Sequence, residues 1–106
     1  MAGTLLSLGI AVCGATVAAS LVTAGAAAAF GQQLAGIADA AALAAADAAS
    51  GAITGIPCDR AAEVASATGA EIVSCSLDGL IATVEVSSSF LRLPASATAR
   101  AGPPPS

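Results

Sequence analysis

The first third of this chain carries no charged side chain. From Met1 to Ala38 there is no Asp, Glu, Lys, Arg or His, and the seven acidic and three basic side chains all lie between Asp39 and Arg100. Residues 4–30 form an apolar run longer than the roughly 20 residues with which a helix crosses about 30 Å of hydrocarbon. A chain of 106 residues has too little else to bury such a run, so the sequence predicts a membrane-spanning helix.

Two alternatives to a permanent span are open. A buried core helix would need surrounding layers that the remaining residues cannot supply. A cleaved signal peptide fits the small residues of "AGAAAAF" at residues 24–30, but the run is longer than the usual core of about 7–15 residues and no basic residue precedes it. We therefore expect a single-pass protein of the cell membrane. The amino-terminal charge and the later Asp39 and Asp47 favour a cytoplasmic N-terminus and an extracytoplasmic C-terminal part.

One face of the predicted span carries small or weakly polar residues. They recur at steps of 4, 3, 4 and 3 and are Gly9, Cys13, Thr16, Ser20 and Thr23. In lipid such a stripe lets another helix approach closely and form hydrogen bonds. The alternative is that the hydroxyl groups bond to carbonyls of their own helix. We predict a helix-packing stripe.

The helix is expected to continue beyond the span as an alanine-rich extension ending near Ser50. Alanine is the best helix former and no proline interrupts the segment, although Gly31 and Gly36 are places where the helix could bend. Asp39 and Asp47 lie about 12 Å apart along the axis, too far for an acid pair, and are expected to be solvated. The opposite, nearly flat apolar face is predicted to consist of Leu34, Ile37, Ala41, Ala44, Ala45 and Ala48. Residues 1–50 thus form the first predicted unit.

Residues 51–101 are predicted to form a small α/β head, followed by a Pro-rich tail at 102–106. After the Gly- and Pro-containing break at 51–57, "CDRAAEVASATGA" predicts a short helix with Asp59 as N-cap, Glu63 in the first turn and Gly69 as the stop. Residues 95–101 are expected to add a third strand, with Phe90, Leu91 and Leu93 docking on the head.

A β-hairpin is predicted around Asp78-Gly79, a strong two-residue loop signal between two β-rich runs. This loop would pair Leu77 with Leu80, Cys75 with Ala82 and Val73 with Val84, all on the inner face. The outer, more polar face would then carry Ile72, Ser74, Ser76, Ile81, Thr83 and Glu85.

Cys75 on the inner face and Cys58 at the start of the short helix are predicted to form a disulfide. It would close a loop of about 15 residues and contribute about 3 kcal/mol in the chain-entropy model. The alternatives are two reduced thiols, a redox-active pair or a zinc site, and the sequence has no His and no CxxC to favour zinc. A bridge requires an oxidising compartment, in agreement with an extracytoplasmic head.

The composition includes few side chains of the kinds that serve in catalysis. The chain has no His, Tyr, Trp or Lys, and its formal net charge of −4 disfavours a nucleic-acid partner. We expect no enzyme, no cofactor, no metal and no small-molecule substrate.

The chain resembles the actinobacterial TadE-like proteins, small pilin-like membrane proteins found beside helicase and secretion-type genes and related to minor components of tight-adherence pili. The resemblance is carried by "ADAAALAAADAASG", "PCDRAAEVASATGAEIVSCSLDGLIATVEVS" and "ATARAGPP". Leu8, five residues after Gly3, stands where a processed pilin carries a Glu, so leader cleavage is not implied. The resemblance implies an α+β, pilin-like fold and a non-enzymatic, membrane-anchored subunit, with other pilin-like subunits or assembly proteins as partners. The alternative function is a secreted, disulfide-stabilised domain.

Overall fold

The computed structural model describes residues 2–104 and has an α+β fold. Its elements are the helices α1 (Ala2–Ser50) and α2 (Pro57–Ala67) and the strands β1 (Glu71–Asp78), β2 (Ile81–Phe90) and β3 (Leu93–Ala101). The strands form one antiparallel sheet in the order β1-β2-β3. The predicted long helix, short helix and antiparallel sheet are confirmed, and the molecule measures 75 × 30 × 17 Å because α1 extends far beyond the head.

Helix α1 is unbroken over 49 residues and passes through Gly31 and Gly36 without interruption. It ends where the chain leaves the helical conformation at Gly51, which has a φ of +83°. The amide of Ala52 donates to the carbonyl of Asp47 at 2.9 Å, and the amide of Gly51 donates to the carbonyl of Ala48 at 3.2 Å. These two bonds form a Schellman motif and satisfy carbonyls that the helix end leaves free.

The core of the head is built on the C-terminal half of α1. Among the described residues, those that are buried are all alanine except Leu34, Val84 and Val86, and α1 contributes Leu34, Ala38, Ala41, Ala42, Ala45 and Ala46. Three residues expected on the apolar face are only half-buried, namely Ile37, Ala44 and Ala48, and of these Ile37 packs against the core as expected. The true face is turned toward Ala38, Ala42 and Ala46, because α1 is covered by two layers, α2 and the sheet, and therefore needs a wider contact face than one stripe.

Helix α2 begins earlier than the sequence predicted. Ile56 is the N-cap and Pro57 occupies the first turn, where a missing amide has no cost, so Asp59 lies inside the first turn and Glu63 beyond it. The prediction that Asp59 is the N-cap is therefore wrong. Gly69, with a φ of +83°, stops the helix as expected, and the amide of Ala70 donates to the carbonyl of Ala65 at 2.9 Å.

The first hairpin turns at Gly79 and Leu80 instead of Asp78 and Gly79. Asp78 pairs with Ile81, Leu77 with Ala82 and Cys75 with Val84, so the predicted pairing was displaced by two residues. Gly79 takes the first loop position, where its φ of +62° is needed. Because side chains alternate with a period of two, this displacement keeps Cys75, Ala82 and Val84 on the inner face, as predicted.

A β-bulge at Val73 changes the start of β1. The register shifts between Ile72 and Ser74, which leaves Val73 56% exposed and places Ile72 opposite Val86, packed against the core. Both residues were predicted on the wrong faces because one extra residue in a strand reverses the alternation beyond it.

The third strand is present and includes the predicted residues 95–101. Phe90 stacks on Phe30 of α1, with the ring centroids 5.2 Å apart. Leu91 and Leu93 were also expected to dock on the head, but they are 71% and 67% exposed. They lie at the β2–β3 turn, past the last core residues.

The alanine core leads to a prediction about side-chain size. Ala42→Leu is expected to lower the free energy of unfolding by about 1–3 kcal/mol, because Ala42 is fully buried and extra methylene groups overpack a close-packed core. Ala40→Leu, on an exposed position of the same helix, should have little effect. Urea unfolding of the detergent-solubilised full chain, followed by circular dichroism, measures both. Equal stability of the two variants would contradict the packing described here.

Candidate functional site: the exposed helix face and the disulfide-linked head

The N-terminal part of α1 is not covered by any other part of the described chain. All residues from 2 to 29 are exposed, and the large apolar side chains among them are Leu5, Leu6, Leu8, Ile10, Val12, Val17, Leu21 and Val22. Within residues 2–104, α1 is the one helix long and apolar enough to cross a membrane. Its apolar segment is not a core helix of this fold, so the alternative of a buried helix does not hold.

Four of the five residues of the predicted stripe line two shallow hollows on this exposed segment, which together are called the groove, and Thr16 lines neither hollow. Gly9 and Cys13, with Gly14, line one hollow between larger side chains, and Ser20 and Thr23 line a second hollow further along. Thr16, Ser20 and Thr23 donate hydrogen bonds to the carbonyls four residues earlier, at 2.9–3.1 Å. The hydroxyl groups thus bond within their own helix, as in the alternative interpretation. The stripe of small residues remains exposed in the single chain. Whether it packs against another helix stays a prediction.

Cys58 and Cys75 form a disulfide between α2 and β1, with Cα atoms 5.9 Å apart. This separation falls in the usual range of about 4.4–6.8 Å. Cys58 lies in the first turn of α2 because Pro57 starts the helix, and Cys75 faces inward opposite Val84. The bridge joins the helical layer to an outer strand of the sheet. Cys13 is the one free cysteine, and it is exposed on α1.

Arg60 holds the loop between the helices. Its Nε donates to the carbonyl of Thr54 at 2.9 Å and its Nη1 donates to Glu63 at 2.8 Å. A Cβ atom at Gly55, which has a φ of +123°, would collide with the Arg60 guanidinium. The positive φ itself favours glycine at position 55, and the guanidinium that lies against it is held by two hydrogen bonds to local groups.

The acidic groups of the head are dispersed. Asp39 is exposed and Asp47 half-buried on α1, and residues 2–104 contain no group of three or more side chains that could hold a metal ion. The buried core of the described residues holds no polar or charged side chain. What the fold presents to partners is therefore apolar helix surface and the outside of a small cross-linked head.

The disulfide is expected to supply a large share of the head's stability. Replacing both Cys58 and Cys75 by Ser, or reducing the bridge, should lower the free energy of unfolding by about 2–4 kcal/mol, because the unfolded chain regains the entropy of an open loop. Cys13→Ser is the matched control and should leave stability unchanged, since Cys13 lies on exposed helix surface. Urea unfolding with and without reductant measures the difference, and an unaffected midpoint in the double variant would contradict it.

The Phe30–Phe90 stack is expected to be a measurable coupling between α1 and the second hairpin. A double-mutant cycle with Phe30→Ala and Phe90→Ala should give a coupling energy of about 0.5–1.5 kcal/mol, as for other aromatic pairs in contact. The same unfolding experiment provides the values. Strict additivity of the two substitutions would show that the rings do not interact.

Comparisons with known proteins give no match: no family model, no curated protein and no solved structure is similar to this chain. A function has to be inferred from its own residues. The features of the molecule that bear on function are the exposed uncharged helix, its groove of small residues and the disulfide-linked head.

Proposed function

We propose that this protein is a non-enzymatic, pilin-like subunit, anchored in the cell membrane by α1 and belonging to a tight-adherence pilus or a secretion-type envelope assembly. The observation that carries the proposal is that the two halves of α1 have different surroundings. Residues 2–29 are exposed, apolar and uncharged, whereas Leu34 and the alanines that follow it form the core of the head. A helix that is apolar on all sides and uncovered by protein is stable when lipid surrounds it.

The order of elements supports the pilin-like assignment. A long N-terminal helix leads into a head in which a short helix and an antiparallel sheet pack against that helix's C-terminal half. This is the arrangement implied by the resemblance to TadE-like proteins. The anchor needs no further transmembrane segment, and the head needs no catalytic group to act as a structural subunit.

The disulfide supports an extracytoplasmic head. Disulfides persist in oxidising compartments and are rare in the cytosol. With Cys58 and Cys75 outside, the N-terminus of α1 is cytoplasmic and the chain crosses the membrane once.

The groove of small residues supports association through the membrane segment. Gly9 and Cys13 leave room for a second helix to approach closely, and in lipid such close packing is a main source of attraction between helices. The partner is a helix of another copy or of a related pilin-like subunit.

A secreted domain is the second candidate function, and one observation favours it. Every buried residue among residues 2–104 lies at or after Leu34, so cleavage after any of residues 26–29 would leave the core of the head complete. N-terminal sequencing of the mature protein separates the two candidates. A start at residues 27–30 would favour secretion, and a start before residue 10 would favour the anchored subunit.

Oxidative cross-linking of the native Cys13 tests the proposed association. In membranes at native expression level, copper-phenanthroline is expected to convert the wild-type chain to a disulfide-linked dimer or to a mixed disulfide with a partner subunit. The free thiol lies in the groove, and Cys58 and Cys75 are already paired. Non-reducing electrophoresis detects the product.

The matched control moves the thiol to the other side of the helix at nearly the same depth. The variant Cys13→Ala with Ala15→Cys places it about 200° around the axis and about 3 Å along it. It should cross-link much more weakly. Equal cross-linking from both faces, or none from either, would contradict a specific helix-packing groove.

A further inference from the structure

We propose that the turn between β2 and β3, residues 90–93, is a second membrane contact. In this proposal Leu91 and Leu93 enter the apolar part of the lipid interface and Arg92 binds phospholipid phosphate. The inference rests on the proposed anchoring of α1 and deepens it, because it specifies how the head sits on the bilayer.

The fold places this turn at the end of the uncharged segment. A hollow lined by Leu43, Asp47, Leu80 and Gly102 brings the start of β2 beside the C-terminal end of α1. Phe90, at the other end of β2, stacks on Phe30. Strand β2 therefore runs along α1 toward its N-terminus, and the turn that follows continues in that direction.

The level reached by the turn is the expected boundary of the membrane. Phe30 is the last residue of the predicted span, and the first side-chain amides follow at Gln32 and Gln33. An aromatic ring at the junction of an apolar helix and polar residues is typical of the membrane–water interface. The tip of the second hairpin thus lies beside the helix where the helix enters lipid.

The two leucines of the turn are not used by the head. Leu93 occupies the face of β3 that also carries Ala95, Ala97 and Ala99, all packed on or within the core, yet it is 67% exposed. Leu91 is 71% exposed. Leucines that lie outside the core and are about two-thirds exposed at the level of the interface continue the apolar surface of α1.

The turn also places two residues in a backbone conformation that their residue types disfavour. Leu91 and Arg92 have φ angles of 51° and 68°, a region that two-residue hairpin loops normally fill with Asn, Asp or Gly. A bulky side chain is disfavoured in this backbone conformation, and Leu91 contributes nothing to the buried core in return. A residue kept in a strained turn against its local preference points to a role outside the fold.

The charge at the turn fits a phospholipid. Arg60 is engaged by Thr54 and Glu63, whereas Arg92 makes no ion pair or side-chain hydrogen bond within residues 2–104. Between two apolar side chains at the interface, a guanidinium can extend to headgroup phosphates while its stem stays in the apolar zone. A leucine–arginine–leucine tip is therefore suited to a lipid surface.

Site-directed spin labelling of the full chain in phosphatidylcholine–phosphatidylglycerol vesicles tests the proposal. In a Cys13→Ala background with the Cys58–Cys75 bridge intact, single cysteines are introduced at Leu91, Leu93 and Ser96 and, as a label of the span, at Val17. Ser96 is the matched control because it is an exposed residue of β3 further from the turn. The protein is diluted in excess lipid, and each label's collisions with oxygen and with a water-soluble nickel chelate are compared.

Labels at Leu91 and Leu93 are expected to collide preferentially with oxygen, as at Val17, and the label at Ser96 preferentially with the nickel chelate. Arg92→Gln should shift the Leu91 label toward the aqueous side.

Aqueous labels at Leu91 and Leu93 with a lipid-exposed Val17 would overturn this inference and leave the anchor intact. An aqueous Val17 would overturn both. Spin–spin broadening at Leu93 that grows with protein density would assign the turn to a second copy instead of lipid, and an unmoved label in Arg92→Gln would overturn the phosphate contact.

Discussion

The packing of α2 and the sheet on the alanine face of α1 is the contact on which the whole structure depends. Ala38, Ala41, Ala42 and Ala45 are fully buried, and their small side chains let two layers approach the same helix. Larger side chains at these positions would hold the layers apart. One helix can therefore be both the central element of a small head and the membrane segment that carries it.

Because its core side chains are small, the head gains little stability from hydrophobic burial. Burial contributes about 0.8 kcal/mol per CH₂ group, so a core of ten alanines with one leucine and two valines offers little hydrophobic stabilisation. Small domains commonly make up such a deficit with disulfides. The Cys58–Cys75 bridge fixes the edge strand β1 to α2, and the Phe30–Phe90 stack fixes the end of β2 to α1. The head is held by few contacts, each at a defined place.

Much of the fold could be predicted from residue patterns along the chain. The uncharged run, the alanine-rich extension, the glycine at position 69 and the pair of cysteines each have a local physical meaning, and the structure has the expected elements in the expected order. The details that escaped prediction depend on tertiary packing or on single-residue irregularities. The bulge at Val73 reversed the faces of Ile72 and Val73, and the burial of Ala42 and Ala46 follows from two layers sharing α1. The stripe of small residues could be predicted from its spacing, but the position of the exposed Leu91 and Leu93 beside α1 depends on the Phe30–Phe90 contact, which no spacing in the sequence predicts.

The central claim is that residues 4–30 stay in lipid as part of the mature chain, with the cross-linked head attached. Washing isolated membranes with alkaline carbonate, followed by the intact mass of the protein in pellet and supernatant, tests it most directly. We expect a chain that retains residues 4–30 and remains in the pellet with one disulfide. Recovery of that chain in the supernatant, or of a chain that has lost residues 4–30, would contradict it.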